Sequence, residues 1–355
     1  MAAIRVVPAH ADLAEVRGCV PDTPCSVAAE PIHAAVRLSH MFGIDRHGLI
    51  WRDDALASGV SETAIKQARR DGRIRPVGRG VLAPSGLYPP GPSDALREHF
   101  RLRSVAAAAA IVRSGAIESR AISHESAAAV LGLGLLMPDA TLVHVTNGRE
   151  SGGNVTNERT VHPGLLPPED IVLVEGLPVT CVARTAVDVA LRLTSFAKIL
   201  AVFDSALRMG VPRTELERRL AAPRRGVARA RHVLTFADGL SDNPGESWSR
   251  AEMIEAGLPV PRLQSEYRLG DGSLAICDYD WEGVVVGEFD GFGKYQREEL
   301  RPGEDAADVV IREKLREDRL KDLDLHVVRW GWEHLWKRQL VAHLKQQLGK
   351  FGCAG

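Results

Sequence analysis

The chain has 355 residues, 45% hydrophobic and 26% charged, with 45 Lys and Arg against 46 Asp and Glu for a formal net charge of -1. That length exceeds one ordinary core and points to two or three domains, and the near-zero charge excludes a uniformly polybasic nucleic-acid binder, so any such affinity must come from local patches. No segment approaches the roughly 18 apolar residues of a membrane span, the longest apolar run being residues 105–112, and no hydrophobic block follows Arg5 as a secretory signal would require.

Five cysteines, Cys19, Cys25, Cys181, Cys277 and Cys353, are scattered, odd in number and free of any Cys-x-x-Cys pair. The pattern argues against a disulfide framework and against a structural zinc site, and it fits a reducing, cytoplasmic setting with no membrane partner. Residues 1–40 carry Pro8, Pro21, Pro24 and Pro31 without a sustained period. They read as a loose arm, or as translation from a start upstream of the real one, with Met41 as the alternative start.

From residue 43 the expected order is short helices and then a small hairpin, ending in a Pro/Gly-rich linker at 84–92. Gly59 should break the first helix and Ser61 should cap the second. In that second helix Thr63, Lys66, Gln67 and Arg70 fall at i, i+3, i+4 and i+7 and share a face, while Ala64, Ile65 and Ala68 turn inward. Amide and cationic tips on one face suit a helix in the major groove, where Gln meets adenine and Lys or Arg meets guanine. The segment that follows holds Arg73, Arg75 and Arg79 in a basic hairpin, and residues 66–79 hold six basic residues against one acidic, Asp71. The competing reading is an ordinary solvated helix face.

Residues 93–236 mix helices at 95–113, 123–131, 184–193 and 196–209 with a strand at 141–146 and a hairpin across Gly176-Leu177-Pro178. Ser123 should cap its helix rather than serve as a nucleophile, because no strand-to-helix elbow is present. Thr214 and Glu217 have capping-box spacing. His124 reads as structural, and His144 and His162 show no metal-ligand spacing. No catalytic role is assigned here; the region is expected to position, interact or regulate. Residues 238–245 read as a second linker.

The last segment is expected as helix, strand, strand, helix, strand, helix. It places Glu246 at a helix start, Asp278 near the end of one strand, and Glu288 and Asp290 two apart on the next, hence on one face. A carboxylate trio of Asp278, Glu288 and Asp290 offers the hard oxygen ligands that magnesium or manganese takes, and such an ion can polarise a phosphodiester. The competing reading is exposed acidic surface, against which Val284, Val285, Val286 and Phe289 mark a buried strand. Arg312, Arg316 and Arg319 at i, i+4 and i+7 read either as phosphate contacts or as a solvated helix in which Glu317 and Lys321 pair.

Two family resemblances extend this reading. Gly59-Val60-Ser61 and the run from Gly72-Arg73-Ile74 to Gly80-Val81 resemble the N-terminal winged helix of AbiEi-type antitoxins and related bacterial regulators, and Arg184-Thr185-Ala186-Val187-Asp188 is similar to a helix of their larger domain. Gly245-Glu246-Ser247, Ile276-Cys277-Asp278-Tyr279, Gly287-Glu288-Phe289-Asp290, Lys294-Tyr295 and the stretches 313–320 and 327–330 resemble the Vsr-like branch of the PD-(D/E)XK superfamily.

The resemblances imply an α/β multidomain chain: an arm at 1–40, a winged helix at 41–85, an AbiEi-like α+β middle domain at 86–240, and a PD-(D/E)XK domain with a central mixed sheet at 241–355. They imply DNA as partner, a toxin or defence-system partner, and a metal-dependent DNA endonuclease. In that enzyme Asp278 and Glu288 hold magnesium or manganese and Glu246 assists. Asp290 stands where the family's E-x-K lysine belongs, which leaves its role to Lys294 or Lys314. Without that lysine the alternative is a non-catalytic, antitoxin-like transcriptional regulator.

Overall fold

The computed structural model describes residues 41–291 and 306–353, excepting the side chains at 306–311 and 313. The expected arm at 1–40 and Lys294 lie outside the described residues.

The N-terminal head runs β1 (Ile50–Trp51), α1 (Arg52–Ala57), α2 (Glu62–Arg70), β2 (Ile74–Gly78) and β3 (Val81–Pro84). Gly59, at φ +91°, turns the chain between the helices in a conformation that side chains resist. The Ser61 hydroxyl then accepts the Ala64 N–H at 3.1 Å and starts α2 as expected. The three strands form an antiparallel sheet in the order β1-β3-β2. Phe42, Ile50, Ala55, Ile65, Ala68, Ile74 and Leu82 make a small core beneath the helices.

The other face of the hairpin is not solvated. Val77, Val81 and Ala83 pack with Leu102 and Val105 of α3 (Pro92–Arg113). Arg113 at the far end of α3 donates to both oxygens of Asp54 at 2.8 Å and lies over the Trp51 ring. Within the segment read as a linker, Tyr88 shares a hydrogen bond with His99 at 2.9 Å and receives the Arg75 guanidinium over its ring at 4.7 Å. Head and middle region therefore share packing across residues 84–92.

The middle region is a six-stranded mixed sheet in the order β6-β7-β5-β4-β9-β8, built from β4 (Ala121–Ile122), β5 (Val143–Thr146), β6 (Asn154–Val155), β7 (Arg159–His162), β8 (Ile171–Val174) and β9 (Leu177–Thr180). Around it lie α4 (His124–Leu131), α5 (Val182–Arg192), α6 (Phe196–Arg208), α7 (Arg213–Arg219) and α8 (Val227–Leu234). Two capping expectations fail. Thr214 sits inside α7, which starts at Arg213 after Pro212, whose fixed φ suits the position before a helix. Ser123 does precede α4, but its hydroxyl contacts the His124 ring and makes no cap bond.

The C-terminal region runs α9 (Pro244–Glu255), β10 (Arg262–Arg268), β11 (Leu274–Trp281), β12 (Val285–Asp290), α10 (Ala306–Lys321), β13 (His326–Gly331), α11 (Trp332–Trp336) and α12 (Leu340–Lys350). Its sheet is ordered β10-β11-β12-β13, antiparallel except for the parallel pair β12/β13 that α10 connects. Strand β10 escaped the sequence reading because it is an edge strand with no buried residue, so nothing alternates. The helix that carries Glu246 begins at Pro244, because the Asn243 side chain accepts the N–H groups of Gly245 and Glu246.

The stretch 238–245 is anchored at two points rather than a free linker. The Asp238 N–H donates to Asp204 at 2.7 Å, and Arg208 donates to the Ser241 carbonyl. The chain is thus a mixed α/β multidomain protein whose parts pack on one another. Among the described residues no helix is long and apolar enough to cross a membrane.

Candidate functional site

All the head residues singled out from spacing are exposed: Thr63, Lys66, Gln67 and Arg70 on α2, and Arg73, Arg75 and Arg79 on the hairpin. Between helix and hairpin lies an open groove of about 560 Å³, lined by Lys66, Arg69, Arg70, Ile74, Arg75 and Pro76. Arg69 was missed because it falls outside the i, i+3, i+4, i+7 set, yet the hairpin reaches round to its side of the helix. Asp71 is the acidic residue within the stretch 66–79. It accepts from Gln67 at 2.7 Å and from Arg73 at 3.1 Å, so those two tips are already held in place. Lys66, Arg70 and Arg79 are exposed cations of that set.

The C-terminal carboxylates are distributed differently from the sequence expectation. Glu288, 2% exposed, pairs with Arg316 at 2.9 Å. Asp278 accepts the Phe289 N–H at 2.7 Å, and Asp290 lies 3.6 Å from Arg329. Glu246 is buried on α9 and accepts from the Asp242 N–H and the Asn243 amide. Burial, and then the Asp278 carboxylate nearby, push the Glu246 carboxyl up to about 8, against the Asp242 N–H that favours the ionised form. Glu246 and Asp278 therefore feel one another, while Glu288 turns to the α10 side.

As arranged, Arg316 occupies the Glu288 carboxylate that magnesium or manganese would need. A hard divalent ion needs several ionised oxygen ligands in octahedral order. Here Arg316 already supplies a positive charge at Glu288, and burial with the Asp278 charge favours the neutral form of Glu246. Lys314 is exposed on α10.

The basic residues of α10 differ in their surroundings. Arg316 points inward to Glu288 and the Ile276 carbonyl, and Arg319 pairs with Asp271 at 2.9 Å, while Arg312 is half-buried. The competing reading holds: Lys321 donates to Glu317 at 2.6 Å. Trp281 and Trp330 are core residues, and Trp336, 54% exposed, rests edge-on against Trp248.

The middle region holds what the sequence reading missed. His124, His144 and His162 come together so that one ring nitrogen of each lies within 4.8 Å of the others. His144 Nδ1 and His162 Nε2 are 2.8 Å apart, and the His124 ring stacks on His162 with centroids 3.8 Å apart. Burial, then the Arg192 guanidinium, push His144 and His162 down to about 4; burial holds His124 well below its ordinary value. A cavity of about 510 Å³ adjoins the cluster, lined by His124, His162, Thr146, Arg184, Arg219 and Arg224 among others. Linear spacing gave no sign of this, because the three histidines come from a helix start and two parallel strands.

Comparison with known proteins gives two curated relatives, Uncharacterized protein MT2308 and Uncharacterized protein Rv2248, both of Mycobacterium tuberculosis. Each is 34% identical over 187 residues, covering 51% of this chain and 66% of the relative, so the chain spans somewhat under two thirds of their length. A crystal structure of the RV2827C protein from Mycobacterium tuberculosis aligns over 66% of this chain and 88% of its own, at 18% identity and a TM-score of 0.35. Residues 120–236, the segment that contains the three histidines, match the model of the AbiEi antitoxin C-terminal domain family.

Proposed function

We propose that the protein is an antitoxin-type, DNA-binding transcriptional regulator, with the head acting as a winged helix and the middle region engaging a toxin partner. The observation that carries this reading is the exposed cationic face of α2 beside the basic hairpin, with a groove between them. In the proposed complex α2 enters the major groove, where Lys66 and Arg70 meet base edges or phosphates, and Arg79 at the hairpin turn meets the flanking backbone. The match of residues 120–236 to an antitoxin domain family supports the regulatory setting and a protein toxin as the second partner.

The test is binding of the whole chain to DNA from upstream of its own gene, measured by fluorescence anisotropy beside scrambled DNA of equal length. Tighter binding to the upstream sequence, lost in Lys66→Ala/Arg70→Ala, supports the regulator. Equal or absent binding to both DNAs removes it.

A second reading, a metal-dependent DNA endonuclease of the PD-(D/E)XK class, is favoured by one arrangement. The α9-led sheet carries the parallel pair β12/β13 joined through α10, with Glu246 and Asp278 close together beside it. That reading requires Arg316 to release Glu288. Supercoiled plasmid incubated with the protein and magnesium or manganese tests it: metal-dependent nicking abolished by Asp278→Ala would support cutting, and intact plasmid would exclude it.

A further inference from the structure

We propose that His124, His144 and His162 form a binding site for one divalent transition-metal ion of the imidazole-preferring kind, zinc foremost. The sequence reading set aside a structural zinc site on cysteine grounds, and the site proposed here uses no cysteine.

One ring nitrogen of each histidine lies within 4.8 Å of the others, somewhat wider than the about 4.2 Å that at most separates two ligands each about 2.0–2.1 Å from a common ion, so binding draws the nitrogens together and turns the stacked rings toward the ion. Two of the three rings have a partner that orients them. The Ser123 hydroxyl lies 2.9 Å from His124 Nδ1, which leaves Nε2 of that ring as the lone-pair atom when Nδ1 carries the proton. Glu125 lies 3.5 Å from His144 Nε2, which directs His144 Nδ1 toward His162. A carboxylate behind a histidine is the usual outer support of a metal-bound imidazole. Glu125 Oε2 is buried and has no hydrogen bond. A metal on His144 Nδ1 would make the Nε2 proton a stronger donor and give that oxygen its partner.

Two further observations separate this cluster from a passively packed core. His124 adopts φ +53°, a backbone conformation that a non-glycine residue holds only when its surroundings impose it, and this turn brings its ring over His162. Second, a cation already sits at the converging nitrogens. One Arg192 guanidinium nitrogen lies 3.4 Å from His144 Nδ1 and 3.2 Å from His162 Nε2. Arg192 is an exposed residue in the last turn of α5, so it can swing into solvent when a metal binds, and the proton that His144 Nδ1 and His162 Nε2 share at 2.8 Å then moves to His162 Nδ1. The adjoining cavity leaves room for water or another exogenous ligand at the remaining coordination position.

Full-length protein stripped with a chelator, given zinc or cobalt(II) and desalted, tests the proposal. We expect one zinc per chain, and a cobalt spectrum with ligand-field bands of four- or five-coordination but no thiolate charge-transfer band, which separates the histidines from the cysteines. His162→Ala, at the half-buried member of the set, should weaken zinc binding at least about 10-fold while circular dichroism stays unchanged. Arg192→Ala should bind as tightly as the parent or more tightly.

Wild-type protein that keeps no zinc would overturn the site, as would wild-type affinity in a folded His162→Ala. So would weaker binding in Arg192→Ala. Absence of zinc from the wild type overturns the site even if a variant fails to fold, and none of these readouts involves DNA.

Discussion

Arg250 donates from one guanidinium nitrogen to both carboxylate oxygens of Asp204, at 2.7 and 2.9 Å, and neither side chain reaches solvent appreciably. Asp204 belongs to α6 of the middle region and Arg250 to α9, the first helix of the C-terminal region. Ala251 joins the middle core, with Trp248 packed against it. The pair ties two regions that the sequence divides at residue 240.

Removing one partner leaves the other as an uncompensated buried charge. Asp204→Ala should therefore destabilise the protein by about 3–5 kcal/mol. Urea unfolding followed by tryptophan fluorescence and by far-ultraviolet circular dichroism measures it. Because α9 packs on α6, the parent should lose both signals together, and two well-separated transitions would show that the regions are independent.

The head offers a separate check on stability. Ser61→Ala deletes the hydroxyl that accepts the Ala64 N–H and should cost about 1 kcal/mol. On the proposed DNA reading, Lys66→Ala/Arg70→Ala should lower the salt dependence of binding by about one charge per lost phosphate contact, each contributing a slope of about 0.9 in log K against log salt. An unchanged slope would place the DNA elsewhere.

The Glu246 carboxyl, raised to about 8 in the folded protein from an ordinary value of 4.5, makes a pH prediction. Between those two values the folded state holds more protons than the unfolded state. Stability from this group is therefore fully present below about 4.5, declines across the interval, and is gone above about 8. Melting temperature should fall as pH rises through that window, and Glu246→Gln should flatten the fall. An identical slope in the variant would assign the effect to another group.

Gly287 allows Trp330 to lie flat against β12. A Cβ built at that position would sit 2.6 Å from the Trp330 ring, whereas one at Gly291 would meet nothing within 4 Å. Gly287→Ala should cost about 1–3 kcal/mol through overpacking, and Gly291→Ala should have much the smaller effect. Denaturation midpoints of the two variants compared side by side give the answer.

Local chemistry made much of the head legible. The Ser61 cap, the Gly59 turn and the alternation of buried Ile65 and Ala68 with exposed Lys66 and Arg70 are all consequences of a 3.6-residue period, which neighbouring residues impose on one another. The strands that carry Asp278 and Glu288 were legible for the same reason, since a period of two and a short turn specify a hairpin. Strand β10 was not, because an edge strand without buried residues leaves no apolar pattern.

What the sequence by itself determined, then, is which segments form helices and strands and which residues share a face of one element. Only the tertiary structure decided which faces meet. His144 and His162 lie on strands paired in parallel, Thr146 opposite His162 and His144 opposite Thr160, and His124 arrives from the start of a helix. Arg316, read as a phosphate contact or a solvated helix residue, pairs with Glu288 across the sheet. Parallel pairing and helix-to-sheet contacts join residues far apart in the chain, and their partners are selected by the packing of whole elements rather than by any spacing between neighbours.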